Sequence, residues 1–517
     1  MPQADRQRTF WLTLIVASIV ILTALNVYRG ATQSITHDEA VTYERYVAGP
    51  FYQIVSKPDA NNHVLFSLLS RATVGLCGPS VLTLRLPSLV ASLFFLVVVA
   101  RIGWRVWGPA ATAWAAVLVL GINPFVMDYL SIARGYALAL AFWAAALEQL
   151  LAAGPMLTSW RLRRASQYLA LAVLGNLTFL FAAAALVACW AVWAWRLRQD
   201  EAHETPREFR HWLWRAVVRP GAIVMAWLGL PLLLLKPSHF YYGAKTFAES
   251  LRSFAQATLT HHPHAWPWNN QTASMHRLVD VVALWLLPAL ILGIAVLWLR
   301  AARRLCRDEI DMKPETALFY LAAGTFTLTA GLLCALHFLI GFKLPIERTG
   351  LHLVTPFFLA VLAGGAVLSA HAGAWWRQAV TAGGLLFALG GLAELQTDHY
   401  RPWAFEADSR QVFEEIVARY DTASRRRVRV GAYWILVPAL NFYRDTRGVD
   451  FIEKIERRYD GFPPDTDIYV VAERIGGKLP AEPVVEFYHG TGGTVLALPA
   501  NRHGPFLPAG VSVAARR

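Results

Sequence analysis

Long apolar runs divide this chain of 517 residues into segments of about membrane-spanning length, separated by short polar connectors. The first run, 10–27, is long enough to cross the hydrocarbon core of a bilayer. Ten further runs lie near 82–101, 110–122, 130–152, 166–178, 180–196, 214–235, 278–299, 317–341, 350–369 and 378–395. Hydrophobic residues make up 56% of the chain and charged residues only 16%, whereas soluble domains carry about a quarter charged residues. The sequence therefore predicts a polytopic α-helical membrane protein with about eleven transmembrane helices.

Arginines in the connectors predict how these helices are oriented, because basic residues concentrate on the cytoplasmic side. Five connectors carry this signal: Arg101/Arg105, Arg161/Arg163/Arg164, Arg196/Arg198/Arg207/Arg210, Arg300/Arg303/Arg304/Arg307 and Arg377. The same rule accounts for the formal net charge of +13 without any nucleic-acid partner. The N-terminus is then cytoplasmic, and the first helix is retained rather than cleaved as a signal peptide.

The composition changes after about residue 396, which predicts two domains. Residues 1–396 form the transmembrane domain, with a first extracytoplasmic loop at 30–81 and a large loop at 236–276. Residues 397–517 form a small extracytoplasmic α/β domain. In that domain, periodicity predicts a helix over 408–420 and strands over 427–434, 467–472, 484–488 and 494–498, the last two joined as a hairpin.

An acidic pair, Asp38 and Glu39, follows the first membrane helix within the loop 30–81. Carboxylates close to hydrocarbon are costly and usually serve chemistry. The alternative is a capping role, with Thr36 as the N-cap of a short interfacial helix and the acids in its first turn. Both interpretations remain open at this point.

Three further polar groups are predicted at the same membrane face. They are Asn61-Asn62-His63, the connector 123–129 with Asp128 that leads into Arg134-Gly135-Tyr136, and the segment 345–349 with Arg348. Acids and arginines that recur at one face indicate a single polar cavity, and the guanidinium group is suited to binding phosphate. The alternative for each arginine is an anchor that extends from a helix end to the membrane surface.

The loop 236–276 contains the closely spaced histidines His261 and His262. Histidines so close together can bind zinc, so these two and His63 are the candidate ligands of a divalent metal, the one cofactor that the sequence leaves open. The alternative is a polar surface turn. The glycine, proline and aromatic content of the loop also suits a segment that closes over a lipid-linked substrate.

The order and spacing of these motifs resemble the GT-C membrane glycosyltransferases, specifically the bacterial branch related to protein O-mannosyltransferases and the lipid A aminoarabinose transferase. The matching segments are 37–40 with Tyr43, 61–65, 85–88, 123–125 with Asp128, and 133–138. The likeness extends in layout over residues 10–395, and its specific motifs lie in 35–140.

This resemblance implies a sugar donor linked to a polyprenyl phosphate and transfer at the periplasmic face of the bacterial inner membrane. Asp38 is then the general base, with Glu39 as the other candidate. The predicted substrate-binding residues are Tyr43, Asn62, His63, Asp128, Arg134, Tyr136 and Arg348.

A polyprenyl phosphate is already a competent leaving group. The reaction therefore needs only one carboxylate, which accepts the proton of the acceptor hydroxyl, and cations that bind the phosphate. A single displacement inverts the anomeric centre. The acceptor is a lipid, a glycan or a protein. The alternative functions are a polytopic transporter or lipid flippase, and a structural subunit of an envelope assembly.

Overall fold

The computed structural model describes residues 3–57, 59, 61–153, 159–202, 205–230, 234, 242–260, 273–307, 312–421, 424, 426–481, 483–490, 492–500 and 506. Most of them are helical. Two parts of the predicted loop 236–276 lie outside these residues: 236–241, and 261–272 with His261 and His262.

Seven helices among the described residues are long and apolar enough to cross a membrane, which confirms a multi-pass membrane protein. They are Asp5–Thr32, Val81–Trp107, Tyr136–Ala153, Phe179–Gln199, His276–Cys306, Pro314–Ile340 and Glu347–Ala372. Ala111–Gly121 and Pro124–Ser131 are bent by 64° relative to each other and add an eighth span if they are counted as one. The predicted count of about eleven is not confirmed. Where the structure describes the runs near 166–178, 214–235 and 378–395, they do not meet the same length and hydropathy criteria.

The helices are numbered here in chain order. They are α1 (Gln3–Thr32), α2 (His37–Thr42), α3 (Tyr52–Ser56), α4 (Val64–Cys77), α5 (Val81–Trp107), α6 (Ala111–Gly121), α7 (Pro124–Ser131), α8 (Tyr136–Ala153), α9 (Ser159–Gly175), α10 (Phe179–Ala202), α11 (Pro206–Leu213), α12 (Arg219–Leu228), α13 (Phe247–Leu259), α14 (Ala273–Val281), α15 (Leu287–Cys306), α16 (Pro314–Ile340), α17 (Leu351–Ala372), α18 (Trp375–Ala393), α19 (Ser409–Arg419) and α20 (Val437–Arg447).

Helix α8 lies at the centre of the transmembrane part. Of its most apolar stretch, 83% is buried inside the protein, against 17% for α1, which faces outward. Small residues allow membrane helices to approach each other closely. The backbones of α8 and α9 come closest where the start of α8 meets the end of α9. A Cβ atom on Gly135 would lie only 1.8 Å from the carbonyl oxygen of Gly175. Glycine is therefore required at the entry to α8, directly after Arg134.

The predicted C-terminal strands are present as a four-stranded sheet. The strands are β1 (Val430–Ala432), β2 (Ile468–Ala472), β3 (Val484–His489) and β4 (Thr494–Pro499), in the order β1-β2-β4-β3. Strand β1 pairs with β2 in parallel, whereas β4 is antiparallel to both β2 and β3. The predicted hairpin between the last two strands and the predicted helix, now α19, are therefore both observed.

The C-terminal part is hydrogen-bonded directly to the loop that carries the acidic pair. The backbone N–H of Ile35 donates to the Tyr443 hydroxyl at 2.9 Å, and the N–H of His37 donates to the Glu406 carboxyl group at 2.7 Å. These bonds fix the backbone on both sides of Thr36, so the C-terminal residues help to set the position of Asp38.

Candidate active site

The acidic pair lies in the first turn of the short helix α2. Thr36 is its N-cap: the hydroxyl of Thr36 accepts a hydrogen bond from the N–H of Glu39 at 3.3 Å, and the Glu39 carboxylate accepts one from the N–H of Thr36 at 2.8 Å. This capping box holds Glu39 against the start of the helix. Asp38 lies about 100° away around the helix, so the two carboxylates have different surroundings.

Glu39 forms a fully buried ion pair with Arg85 of α5. Arg85 Nε and Nη2 donate to the two Glu39 oxygens at 2.8 and 2.7 Å, and the N–H of Ala133 donates to Oε1. Each Glu39 oxygen thus accepts two hydrogen bonds, which fills its lone pairs. The other Arg85 donors bind the backbone carbonyls of Gly30, Gln33 and Ser34. Glu39 therefore stabilises the loop and has no lone pair free for a substrate.

Asp38 faces two arginines instead. Its Oδ2 atom lies 2.7 Å from Arg348 Nη1 and 3.8 Å from Arg134 Nη1, and its side chain is only 10% exposed. Burial opposes ionisation of this carboxyl group, but the charges of Arg134 and Arg348 outweigh it and hold the pKa of Asp38 below its ordinary value. Asp38 is accordingly a carboxylate with oxygen lone pairs that remain open to a ligand.

Arg134 enters this cluster from the break between α7 and α8. Its Nη2 donates to Asn61 Oδ1 at 3.0 Å and its Nη1 to the backbone carbonyl of Asp38 at 3.3 Å. Its own carbonyl accepts a hydrogen bond from the Ser88 hydroxyl at 3.0 Å. The buried Nε of Arg134 has no hydrogen-bond partner among the described residues, so this guanidinium still has a donor for an anionic ligand.

Arg348 lies in a single 3₁₀ turn, Glu347–Gly350, just before α17. Its guanidinium carbon lies 4.9 Å from the centre of the Tyr242 ring and 5.9 Å from that of Trp403, distances at which cation–π attraction operates. Glu347 has φ of 41°, an unusual value for a non-glycine residue. Its carboxylate accepts a hydrogen bond from the Tyr242 hydroxyl at 2.7 Å, so aromatic and acidic neighbours hold Arg348 toward Asp38.

His63 and Tyr136 complete the wall around Arg134. His63 Nδ1 donates to the carbonyl of Gly175 at 2.9 Å, and its ring centre lies 5.2 Å from that of Tyr136. Burial and the charge of Arg134 lower the pKa of His63 well below its ordinary value, so the ring is neutral. With Nδ1 protonated, Nε2 carries a lone pair, and this buried atom has no partner within the described part of the chain.

The other predicted binding residues are engaged elsewhere. Asn62 donates to two backbone carbonyls of its own loop, at 2.8 and 3.2 Å. Asp128 forms a buried ion pair with Arg29 at the end of α1. The Tyr43 ring packs edge-on against Phe442 of α20, with 4.9 Å between the ring centres. The structure thus gives these three residues contacts that tie the loop, the helices and the C-terminal part together.

The described residues do not fit a divalent metal. They contain no group of three or more histidine, cysteine, aspartate or glutamate side chains placed to hold one. Of the predicted ligands, His63 already donates from Nδ1 to a backbone carbonyl, whereas His261 and His262 lie outside the described residues. The reaction derived below therefore has no step through a metal.

Three residues near the cluster had no predicted role: Tyr242, Trp403 and Glu406. Burial raises the pKa of Glu406 well above its ordinary value, which favours the neutral form of this neighbour of the acidic pair. Trp403 and Glu406 belong to the 3₁₀ segment Arg401–Glu406 that follows α18. An aromatic and basic run directly after an apolar run, on the predicted side of Asp38, is the sequence signal that could have indicated them.

The chain is similar to several solved structures. The chain is similar to ArnT from Cupriavidus metallidurans, both bound to undecaprenyl phosphate (TM-score 0.44) and in the apo state (TM-score 0.45). Each match has 12% identity and covers 95% of this chain and 98% of ArnT. It is also similar to the arabinosyltransferase EmbB from Mycobacterium smegmatis, with TM-score 0.31, 12% identity, and coverage of 76% of this chain and 42% of EmbB.

No family model matches the sequence, and no curated protein matches it. The structural matches are distant. At 12% identity and TM-scores below 0.5, they assign neither a substrate nor a residue role, and these follow only from the side chains described above.

Proposed function

We propose that this protein transfers a sugar from a polyprenyl-phosphate donor to an acceptor hydroxyl at the extracytoplasmic membrane face, with inversion, and that Asp38 is the general base. The observation that carries the proposal is the contrast between the two acids. Glu39 is saturated by four hydrogen bonds, whereas Asp38 is ionised, faces two arginines and keeps lone pairs available.

The charge of the cluster suits a donor phosphate. Arg134 and Arg348 with Asp38 carry a net charge of +1, and a sugar–phosphate diester carries one negative charge. The donor phosphate can therefore take the place of Asp38 on Arg348 and use the buried, unpartnered Nε of Arg134. This exchange turns the Asp38 carboxylate from an ion-pair partner into a base beside the sugar.

The reaction then needs one displacement. The acceptor oxygen attacks the anomeric carbon on the side opposite the phosphate, and its proton moves to Asp38. The bond between the anomeric carbon and the phosphate oxygen breaks, and its electron pair stays on the phosphate, whose charge rises from one to two negative charges. Arg134 and Arg348 stabilise that developing charge more than the charge of the bound donor, which is the condition for acceleration.

An apolar groove beside Arg348 supports a lipid-linked donor. It has a volume of about 390 Å³ and lies between α13, α15, α16 and α17. Its lining includes Phe254, Ile291, Leu333 and Leu353, and it reaches Leu344 and Pro345, a few residues before Arg348. An isoprenoid chain in this groove would leave its phosphate near the arginine.

A transfer assay tests the proposal. The purified protein in lipid vesicles receives a polyprenyl-phosphate donor with a radiolabelled sugar, and envelope extract supplies the acceptor. We expect label in a new product of inverted anomeric configuration, and at least about a tenfold loss with Arg134→Ala, equivalent to about 1.4 kcal/mol. Arg45→Ala is the control, because Arg45 is half exposed and pairs with Asp59 in the same loop.

Two results would count against transfer. If label crosses the vesicle membrane without entering a new product, the protein is a transporter or flippase. If Arg134→Ala and Arg45→Ala both retain wild-type transfer, Arg134 is an anchor of its helix.

A further inference from the structure

A second polar cavity lies beside the candidate active site and is separate from it. Its volume is about 540 Å³. It is lined by α13, the segment 346–347, residues 401–405 after α18, and residues 474–475 of the C-terminal part. Tyr242 and Glu347 line it, whereas Asp38, Arg134 and Arg348 do not. These two residues therefore form a wall between the cavity and the cluster around Asp38.

Arg401 is a buried cation in this cavity, and no residue in the described part of the chain is its counterion. Only 6% of the residue is exposed, and its guanidinium forms no ion pair or hydrogen bond with any described residue. Its Nε is fully buried and unpartnered. Its backbone N–H, in contrast, donates to Asp128 at 3.0 Å. A buried charge without a partner is unfavourable, so binding of an anionic ligand here would be stabilising.

Gln256 is a second unpartnered donor on the same wall. It is 4% exposed, and its buried Nε2 has no hydrogen-bond partner among the described residues. Gln256 comes from α13, whereas Arg401 comes from the other side of the cavity. Two elements thus bring side chains with unpartnered N–H groups to the lining of one cavity.

The carboxylates of the cavity are occupied by other partners. Glu249 accepts hydrogen bonds from the backbone N–H groups of Lys245 and Thr246 at the start of α13. Glu347 accepts the Tyr242 hydroxyl. These bonds hold both acids away from Arg401, which leaves the positive charge of Arg401 for a ligand.

We infer that this cavity binds an oxyanion, a phosphate or carboxylate group, through the guanidinium of Arg401 and the amide of Gln256. A planar guanidinium binds such groups with two parallel hydrogen bonds, and Gln256 Nε2 supplies a third donor. The site requires neither Asp38 nor sugar transfer. Its occupant reaches it from solution or as the headgroup of a lipid.

Binding to the full-length protein in phosphatidylcholine nanodiscs tests the site. Inorganic phosphate is titrated at constant ionic strength against chloride, and binding is followed by calorimetry. We expect saturable phosphate binding that weakens about tenfold or more in Arg401→Gln and several-fold in Gln256→Leu. The control is Arg252→Gln: Arg252 lines the same cavity but pairs with Asp280 at 2.7 Å, so its removal should leave binding almost unchanged.

A second arm separates the two sources. Nanodiscs that contain phosphatidic acid, whose headgroup is a phosphate monoester, are compared with phosphatidylcholine alone. If the lipid headgroup occupies the site, phosphatidic acid competes with inorganic phosphate in the wild type and not in Arg401→Gln. If the ligand is soluble, phosphate binding is the same in both nanodiscs.

Two results would overturn the inference. One is phosphate binding that is equal in the wild type and Arg401→Gln. The other is thermal unfolding of Arg401→Gln well below that of Arg252→Gln with no phosphate binding by the wild type, which would make Arg401 a structural residue. Since binding is measured without a sugar donor, either result leaves the proposed transferase function untouched.

Discussion

Replacing Glu39 by Gln should destabilise the fold rather than remove a catalytic base. The substitution leaves Arg85 buried with no negative partner, and breaking a buried pair in this way costs about 3–5 kcal/mol. In the wild type, both Glu39 oxygens accept hydrogen bonds from N–H groups of Arg85, Thr36 and Ala133. The amide NH₂ group of the variant would therefore face N–H donors instead of acceptors. This added mismatch argues for the upper part of that range.

The expected change in melting temperature follows from chain length. An unfolding entropy of about 2.1 cal/mol/K per residue gives about 1 °C per kcal/mol for a chain of this size. Glu39→Gln should therefore melt about 3–5 °C below the wild type. Glu44→Gln is the matched control: Glu44 is in the same loop, its side chain is 57% exposed, and it pairs with Lys454 only at 3.6 Å. Its loss should cost less than about 1 kcal/mol.

Unfolding can be followed in detergent with a thiol-reactive fluorescent dye. Cys189 is buried, so it reacts only as the protein opens, after exposed thiols have been blocked. If Glu39→Gln melts at the wild-type temperature and yet has lost sugar transfer, Glu39 is the reacting base and the assignment to Asp38 is wrong.

Three further outcomes are expected. Gly135→Ala should lower the stability by about 1–3 kcal/mol and should also lower transfer, because its Cβ would meet the Gly175 carbonyl beside Arg134. Gly75→Ala is the control, since a Cβ there meets open space, and it should change neither. Thermal melts and transfer rates measure both effects. The rate of transfer should stay constant as pH falls to about 5. The ordinary pKa of an aspartate is about 3.9, and the pKa of Asp38 is lowered from its ordinary value, so the base stays ionised over this range. Arg348→Gln should move the acid decline of the pH–rate profile to higher pH, whereas a wild-type decline centred between pH 6 and 7 would contradict the assignment. Alkaline phosphatase fused after residue 400 should be active, and activity of a cytoplasmic reporter there would reverse the predicted topology.

The sequence predicted that Asp38, Arg134 and Arg348 lie at one membrane face, and the structure brings these three together. The sequence left the choice between Asp38 and Glu39 open. Asp38 and Arg348 are 310 positions apart and form an ion pair. The basic connectors predicted this proximity, because they place both residues at the same membrane face. The distinction between Asp38 and Glu39 depends on Arg85, which reaches back from a membrane helix to one of the two acids. Two adjacent carboxylates carry no sequence signal for such a tertiary contact.

The fold shows a similar division. Short runs of β-branched, aromatic and other apolar residues placed the four C-terminal strands within a few residues, and β2 is buried along its whole length. Hydropathy did not yield the number of membrane spans. The apolar run that starts at Ala111 is interrupted where Asn123 caps α7 and Pro124 opens it, which bends the chain by 64°. A hydropathy window records composition and not such a bend.

The most direct test of the central claim compares turnover with donor binding in Asp38→Asn. Asparagine keeps the shape of the side chain and removes its basicity, so sugar transfer in a single turnover should fall by about a hundredfold to ten-thousandfold. Binding of polyprenyl phosphate should persist or become tighter, because the substitution releases Arg348 from its 2.7 Å ion pair with Asp38. Transfer at the wild-type rate by correctly folded Asp38→Asn, or loss of donor binding in parallel with transfer, would contradict the account.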